Sequence, residues 1–259
     1  MCALDGMHAR YWCCNGNRAR GSWRQYYNDS GIVACLIVLR TTCLTQCSKR
    51  SEAISDTQGT VEALGRKCTS IVADLSSRDT VRSLVPKITS AQDQCIDILV
   101  NNAGIMRRHD AVDFPEEDLD EVMEVNFAST FLLCQAIGRY WIDNKIPGRL
   151  INTASLATFQ GGVRMAAYAG SKGAVGQLTK ALSNEWAQYG IRVNAIAPGY
   201  IATDMNIDTR TNVDTNYYDS ITSRIPAGHW GEPKDFKGPV VFLASEASSY
   251  ITGETIVVS

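Results

Sequence analysis

The sequence predicts a single α/β domain built on a doubly wound parallel sheet with helices on both faces, and three observations carry that prediction. Apolar runs of strand length recur along the chain with helical patterns between several of them, the pattern of buried parallel strands joined by crossovers. Several of these runs end in polar or glycine-rich clusters, and open α/β sheets form their ligand crevices outside the carboxyl ends of strands. The chain has 259 residues, 45% of them hydrophobic, which suffices for one large core.

Composition excludes other classes. A net charge of −2 offers no basic surplus for nucleic acid. The longest clear apolar run, residues 32–39, falls far short of the ~20 residues of a membrane-spanning helix. No early apolar stretch stands beside a small-residue cleavage site, so the expected location is cytoplasmic. The nine cysteines (Cys2, Cys13, Cys14, Cys35, Cys43, Cys47, Cys68, Cys95 and Cys134) lack paired C-x-x-C spacing. They read as free thiols, with no metal site and no disulfide framework.

Taken in order, the first clear strand is 32–39. The next, 68–73, leads into Asp74-Leu75, a carboxylate placed to accept a hydrogen bond from the amino group of an adenine. The strand 96–100 runs into Asn101-Asn102-Ala103-Gly104, where small residues let backbone approach a flat ligand and the amides can bridge neighbouring strand loops. Pro147-Gly148 breaks the chain before the strand 150–153, which ends just ahead of Ser155. Residues 165–189 carry Ala169, Val175, Leu178, Leu182 and Trp186 at helical spacing. The strand 191–196 ends in Ala197-Pro198-Gly199-Tyr200-Ile201-Ala202-Thr203, a rigid turn suited to holding a carboxamide. Thr255–Val258 closes the sheet.

The chemistry concentrates in Ser155 and Tyr168-Ala-Gly-Ser-Lys172. On a helix, Tyr168 and Lys172 lie one turn apart on one face. A free tyrosine, with pKa about 10, is a poor acid or base at neutral pH, but a neighbouring cation favours the phenolate. A strand-end serine and a helix tyrosine can then converge on one substrate oxygen, which points to carbonyl/alcohol redox chemistry.

With these motifs in this order, the chain resembles the short-chain dehydrogenase/reductase family from about residue 61 to 258. The resemblance implies a Rossmann-type fold and a nicotinamide cofactor. It implies a catalytic tetrad of Asn126, Ser155, Tyr168 and Lys172, with Lys172 binding ribose and lowering the tyrosine pKa, and Asn126 holding a relay water. Cofactor contacts are implied at Asp74, Leu75, Asn102, Ala103, Gly104, Tyr168, Lys172, Pro198, Gly199, Ile201 and Thr203. The strings Asn102-Ala-Gly-Ile-Met-Arg-Arg108, Phe159-Gln-Gly-Gly162, Asn184-Glu-Trp-Ala187 and Arg224-Ile-Pro-Ala-Gly-His-Trp-Gly231 look more narrowly like the 2-deoxy-gluconate 3-dehydrogenase and 2-dehydro-3-deoxy-gluconate 5-dehydrogenase group. That implies a polyhydroxylated carboxylate substrate. Arg107 and Arg108 are then candidates for a carboxylate fork and Gln160 for a sugar hydroxyl. A homotetramer or homodimer is the expected assembly, and no histidine is needed for the chemistry.

Residues 1–50 depart from that pattern. They hold six of the nine cysteines and seven basic against two acidic residues. The family's glycine-rich phosphate turn is replaced by Asn15-Gly-Asn-Arg-Ala-Arg-Gly-Ser22. Only Gly16 is in register, and Arg20 and Ser22 stand where glycines let backbone meet pyrophosphate. Back-translation of residues 12–17 with a one-base shift permits Gly-Ala-Val-Thr-Gly-Thr, so an out-of-frame origin is one reading and a divergent phosphate loop is the other. Arg40, near the expected end of the second strand, taken literally favours NADP, whereas the narrower resemblance favours NAD, the expected cofactor with NADP as the alternative. A catalytically impaired homologue, or a polyol, steroid or acyl substrate, are the alternative functions.

Overall fold

The computed structural model of the chain describes residues 36–39, 42–47, 59–65, 67–90, 95–203, 206, 210 and 215–259. Their strands are β1 (Leu36–Leu39), β2 (Thr42–Cys47), β3 (Lys67–Val72), β4 (Ile96–Asn101), β5 (Arg149–Thr153), β6 (Arg192–Pro198) and β7 (Thr255–Val258). They form one sheet in the order β3-β2-β1-β4-β5-β6-β7. The pairs β2/β3, β4/β5, β5/β6 and β6/β7 are parallel. The helices that bear on the site and its core are α1 (Arg78–Thr89), α2 (Glu116–Met123), α3 (Ser129–Asp143), α4 (Ala157–Gln160), α5 (Ala166–Trp186), α6 (Thr215–Thr222) and α7 (Lys237–Ala244).

The sheet is covered on both faces because its strands are apolar on both. Within β4, Ile96 and Leu99 join a core with Val81, Leu84 and Ile88 of α1, Leu133, Ile137 and Trp141 of α3, and Leu178 and Leu182 of α5. Ile98 and Val100 point the other way, into a second core with Ile151, Ile196, Leu243 of α7 and Val258. Complete burial of such side chains contributes about 1.5–3 kcal/mol each. Trp141 is fully buried and donates its indole N–H to the Ile96 carbonyl at 2.6 Å, which satisfies the one polar atom of that side chain.

Five of the expected strands appear within a residue or two of their predicted ends, and 165–189 becomes α5 followed by a 3-10 turn, Ala187–Tyr189. The amino-terminal part of the sheet differs. Leu36 pairs with Val100 and Leu39 with Ile96, so β1 runs antiparallel to β4 and, through a short connection, antiparallel to β2. A doubly wound sheet tolerates an antiparallel strand, but the reversal moves the expected cofactor-selecting position. The carboxyl end of β1 lies beside the amino end of β4, away from the ligand crevice. It is β2, ending at Cys47 opposite Val72, that reaches the crevice side. Arg40, Gly16, Arg20 and Ser22 lie outside the described residues.

Candidate active site

The carboxyl ends of β4, β5 and β6 open on a cleft lined by Asn102, Gly104, Thr153, Ala154, Ser155, Tyr168, Lys172, Pro198, Gly199, Ile201, Thr203 and Asn206. Buried polar bonds hold its strands in register. Asn101 at the end of β4 donates to the Asn152 side chain at 2.9 Å, and Asn152 donates to Thr179 of α5 at 3.0 Å. This is the strand-bridging expected of the asparagines. A Cβ on Gly104 would stand 3.2 Å from Asn126 Oδ1 and 3.3 Å from Lys172 Nζ, so this strip of backbone stays bare and can face a flat ring.

Tyr168 and Lys172 are both buried on the first turns of α5. Lys172 Nζ donates to the Thr153 carbonyl at 2.7 Å and lies 5.8 Å from the centre of the Tyr168 ring. Burial pulls the Lys172 amine down to about 8. Burial also pushes the Tyr168 phenol above its ordinary range, opposed by a hydrogen bond with Ser155 and by the charge of Arg108. In the protein alone, desolvation outweighs the favourable contacts, which come from Ser155 and Arg108, whereas the depression expected from sequence also counted a bound nicotinamide ring. Ser155 also accepts from the Ala157 amide at 3.1 Å, which fixes the turn that presents it.

Asn126 sits in a π turn, Glu124–Ala128, that joins α2 to α3. Such single-turn bulges free backbone groups and recur at functional sites. Its Oδ1 accepts from the Ile105 amide at 2.7 Å, and its Nδ2 donates to the Ile105 carbonyl and to Ser171 Oγ, each at 2.9 Å. The side chain thus locks the loop after β4 to the start of α5 and leaves one lone pair on Oδ1 uncommitted among these contacts.

The remaining candidates divide. Pro198, Gly199, Ile201 and Thr203, expected as cofactor contacts, line the cleft. Ala103 is buried beneath it, and Leu75 is a core residue at 2% exposure, so only its backbone can meet a ligand. Asp74 is exposed and accepts from Ser76 N and Oγ. The two-arginine fork does not form, because Arg107 is engaged by Glu121 at 2.7 Å and Asp118 at 3.5 Å, while Arg108 is exposed and close enough to act on Tyr168. Gln160 is exposed at the end of α4. His109 bonds Asp118 at 2.5 Å, and His229 meets the Trp230 carbonyl, so both serve structure.

Sequence reasoning missed Asn206, Thr158 and Ser171. Asn206 lines the cleft and accepts from the Thr203 amide at 3.2 Å, with Arg210 donating to it at 3.0 Å. Thr158 bonds the backbone of both Ser155 and Lys172. The Thr203-to-Asn206 spacing, that of a capping side chain, was the available signal for the first; the other two carry none beyond polar residues at buried helical positions. Among the described residues no group of His, Cys, Asp and Glu could hold a metal ion, and no helix is long and apolar enough to cross a membrane.

Comparison with known proteins agrees with this geometry. The family model described as enoyl-(acyl carrier protein) reductase matches residues 42–259. The chain is 48% identical to the 2-dehydro-3-deoxy-D-gluconate 5-dehydrogenase of Dickeya dadantii over 198 residues, 76% of this chain and 77% of that protein. Among solved structures, a putative 2-deoxy-D-gluconate 3-dehydrogenase from Agrobacterium tumefaciens with bound NADP has a TM-score of 0.76 and 39% identity, covering 83% of each chain. A gluconate 5-dehydrogenase from Burkholderia cenocepacia in complex with NADP and tartrate has a TM-score of 0.74 and 34% identity, again covering 83% of each.

Proposed function

The chain belongs to the short-chain dehydrogenase/reductase family, and from that premise we propose that it interconverts a secondary alcohol and a ketone on a sugar acid of the deoxy- or keto-gluconate class, with a nicotinamide dinucleotide as redox partner. The observation that carries the reading is a buried phenol and the Lys172 ammonium one helical turn away, lining one cleft together with Ser155.

In this reading Ser155 hydrogen-bonds the substrate oxygen and Tyr168 is the acid/base that gives or takes its proton. Lys172 places a positive charge at the foot of the tyrosine, and its bond to Thr153 keeps that charge fixed. Asn126 anchors the loop that carries Gly104, and the free lone pair of its amide suits a relay water. When bound, the dinucleotide supplies or accepts the hydride. The bare Gly104 backbone, the Pro198-Gly199 turn and Thr203 fit its nicotinamide half. Arg108, unlike Arg107, keeps its guanidinium available for a substrate carboxylate.

NADP is a better fit than the NAD expected from sequence. The Agrobacterium and Burkholderia proteins were solved with NADP. In the sequence, Ser48-Lys49-Arg50 follows the end of β2 at Cys47, two cations suited to a 2′-phosphate. A cytoplasmic homotetramer or homodimer suits such an enzyme, and the sequence reads as one domain.

The test is a turnover panel of 5-keto-gluconate, 2-dehydro-3-deoxy-gluconate, 2-deoxy-gluconate and a neutral polyol with NADP(H) and NAD(H). The acids should turn over in preference to the polyol, and Tyr168→Phe should cost about 10²–10⁴-fold in kcat. Arg108→Ala should raise KM for the acids and leave KM for the polyol within about two-fold, with any effect on kcat through Tyr168 shared by both. Preference for the polyol would overturn the substrate class, and failure of millimolar NADPH or NADH to quench tryptophan fluorescence would remove the enzymatic reading itself.

A further inference from the structure

Two hydroxyls outside the tetrad join its members in pairs. Ser171, fully buried, accepts from Asn126 Nδ2 at 2.9 Å and donates to the Tyr168 carbonyl at 2.8 Å. Thr158 accepts from the Ser155 amide at 3.2 Å and donates to the Lys172 carbonyl at 3.0 Å. One hydroxyl therefore connects Asn126 to Tyr168, and the other connects Ser155 to Lys172. Each acts as acceptor and donor at once, so that one hydroxyl joins two groups.

These contacts are more than generic helix packing. A Ser or Thr inside a helix often bonds back to a carbonyl of its own helix, as Ser171 does, but Ser171 also receives a buried side-chain amide from the π turn. Thr158 belongs to α4 and reaches across to α5. The two elements touch there, since a Cβ on Gly176 would lie 2.6 Å from Thr158 Cγ2. The turn holding Tyr168 and Lys172 is thereby tied on one side to the π turn and on the other to the loop that presents Ser155.

We infer that Ser171 and Thr158 are positioning residues that set the catalytic turn of α5 against Asn126 and Ser155. The inference rests on the dehydrogenase reading of the tetrad. A misplacement on the order of 1 Å costs about 10²-fold in a site that works by alignment, so small shifts of this turn weigh on the chemical step and little on substrate binding.

Thr158→Val keeps the methyl packed on Gly176 and removes the hydroxyl; Ser171→Ala removes the other. With 5-keto-gluconate and NADPH as probes, each should lower kcat roughly 10- to 100-fold and leave KM within about two-fold, while Thr158→Ser and Ser171→Thr restore kcat. A second readout needs no turnover: the pH titration of the Lys172 ε-carbon by NMR in lysine-labelled protein, assigned by its loss in Lys172→Arg. The charged or titratable groups at this turn are Tyr168 on α5 and, from the loop after β4, Arg108; Ser155, Thr153, Thr203 and Asn206 bring no charge. Loosening the turn admits water, so the midpoint should rise from about 8 toward the free-lysine value. Variants that lose only thermal stability, with kcat and the Lys172 midpoint as in the parent, overturn the proposal. Thr158→Val decides it if Ser171→Ala does not fold. An unaltered kcat in Tyr168→Phe instead overturns the tetrad reading, and the Lys172 titration still judges the two hydroxyls.

Discussion

At the scale of single residues, the site places a base and a cation in a medium that disfavours both of their charged forms. Lys172 titrates at about 8 in the folded chain against 10.5 when free. Below pH 8 both states carry the proton, and the unfavourable burial of the ammonium is felt in full. Between about 8 and 10.5 the folded state releases its proton first, the unfolded state holds more protons, and stability rises with pH. Lys172→Met should therefore be more stable than the parent at neutral pH, and its advantage should shrink as pH climbs through that window. Urea midpoints at pH 7, 9 and 10.5 check this; an advantage that stays constant or widens counts against a buried ammonium. Tyr168, raised above 10, keeps its proton longer than in the unfolded chain, so alcohol oxidation should gain with pH across the alkaline range. The sequence made Ser155, Tyr168 and Lys172 legible because their spacing is local. It could not show that Arg107 is spent on Asp118 and Glu121 while Arg108 is not, since those acids come from a helix that folds against the loop.

At the scale of elements, the pieces that position the site were read well where hydrophobic pattern alone decides them. The strands β4, β5 and β6 and helix α5 are buried on both faces or along one stripe, and their apolar runs say so. What the pattern could not carry is the π turn at Glu124–Ala128, because one extra residue in a helical repeat leaves no compositional mark. The direction of β1 was equally hidden, since Leu36–Leu39 is apolar whichever way it runs. The helix α3 depends on Trp141, which fills the core under β4 and reaches the Ile96 carbonyl. A Cβ on Gly148 would stand 2.2 Å from its ring, so the turn into β5 is shaped around the same indole. Trp141→Ala should destabilise the fold by about 3–5 kcal/mol, measured by urea unfolding. A loss below about 1 kcal/mol would mean that the cavity collapses and that Trp141 is not the element's anchor.

At the scale of the whole molecule, the fold class was legible because alternating apolar runs and polar strand ends recur over most of the chain, and the family match begins at residue 42. The part that resisted reading is the amino-terminal fifth, where glycine and charge no longer follow the pattern required for a phosphate turn, leaving Gly16 without partners in the motif. The reversed β1 divides the sheet into two kinds of neighbour. From β4 to β7 each strand pairs in parallel with the next and is stapled by α3, α5 or α7. The β1/β2 pair is instead a local antiparallel ribbon, joined to the rest through β4 on one side and β3 on the other. Local ribbons close within microseconds, whereas parallel pairings wait on long loops. In native-state hydrogen exchange, the amides of β4 to β6 should open only with global unfolding, while those of β1 and β2 should exchange through a cheaper, partial opening. Uniform protection across all seven strands would show a single cooperative unit. If the ribbon does open alone, the molecule has a hinge of stability along the line between Leu36 and Val100, and the catalytic half can stay assembled while the neighbouring edge breathes.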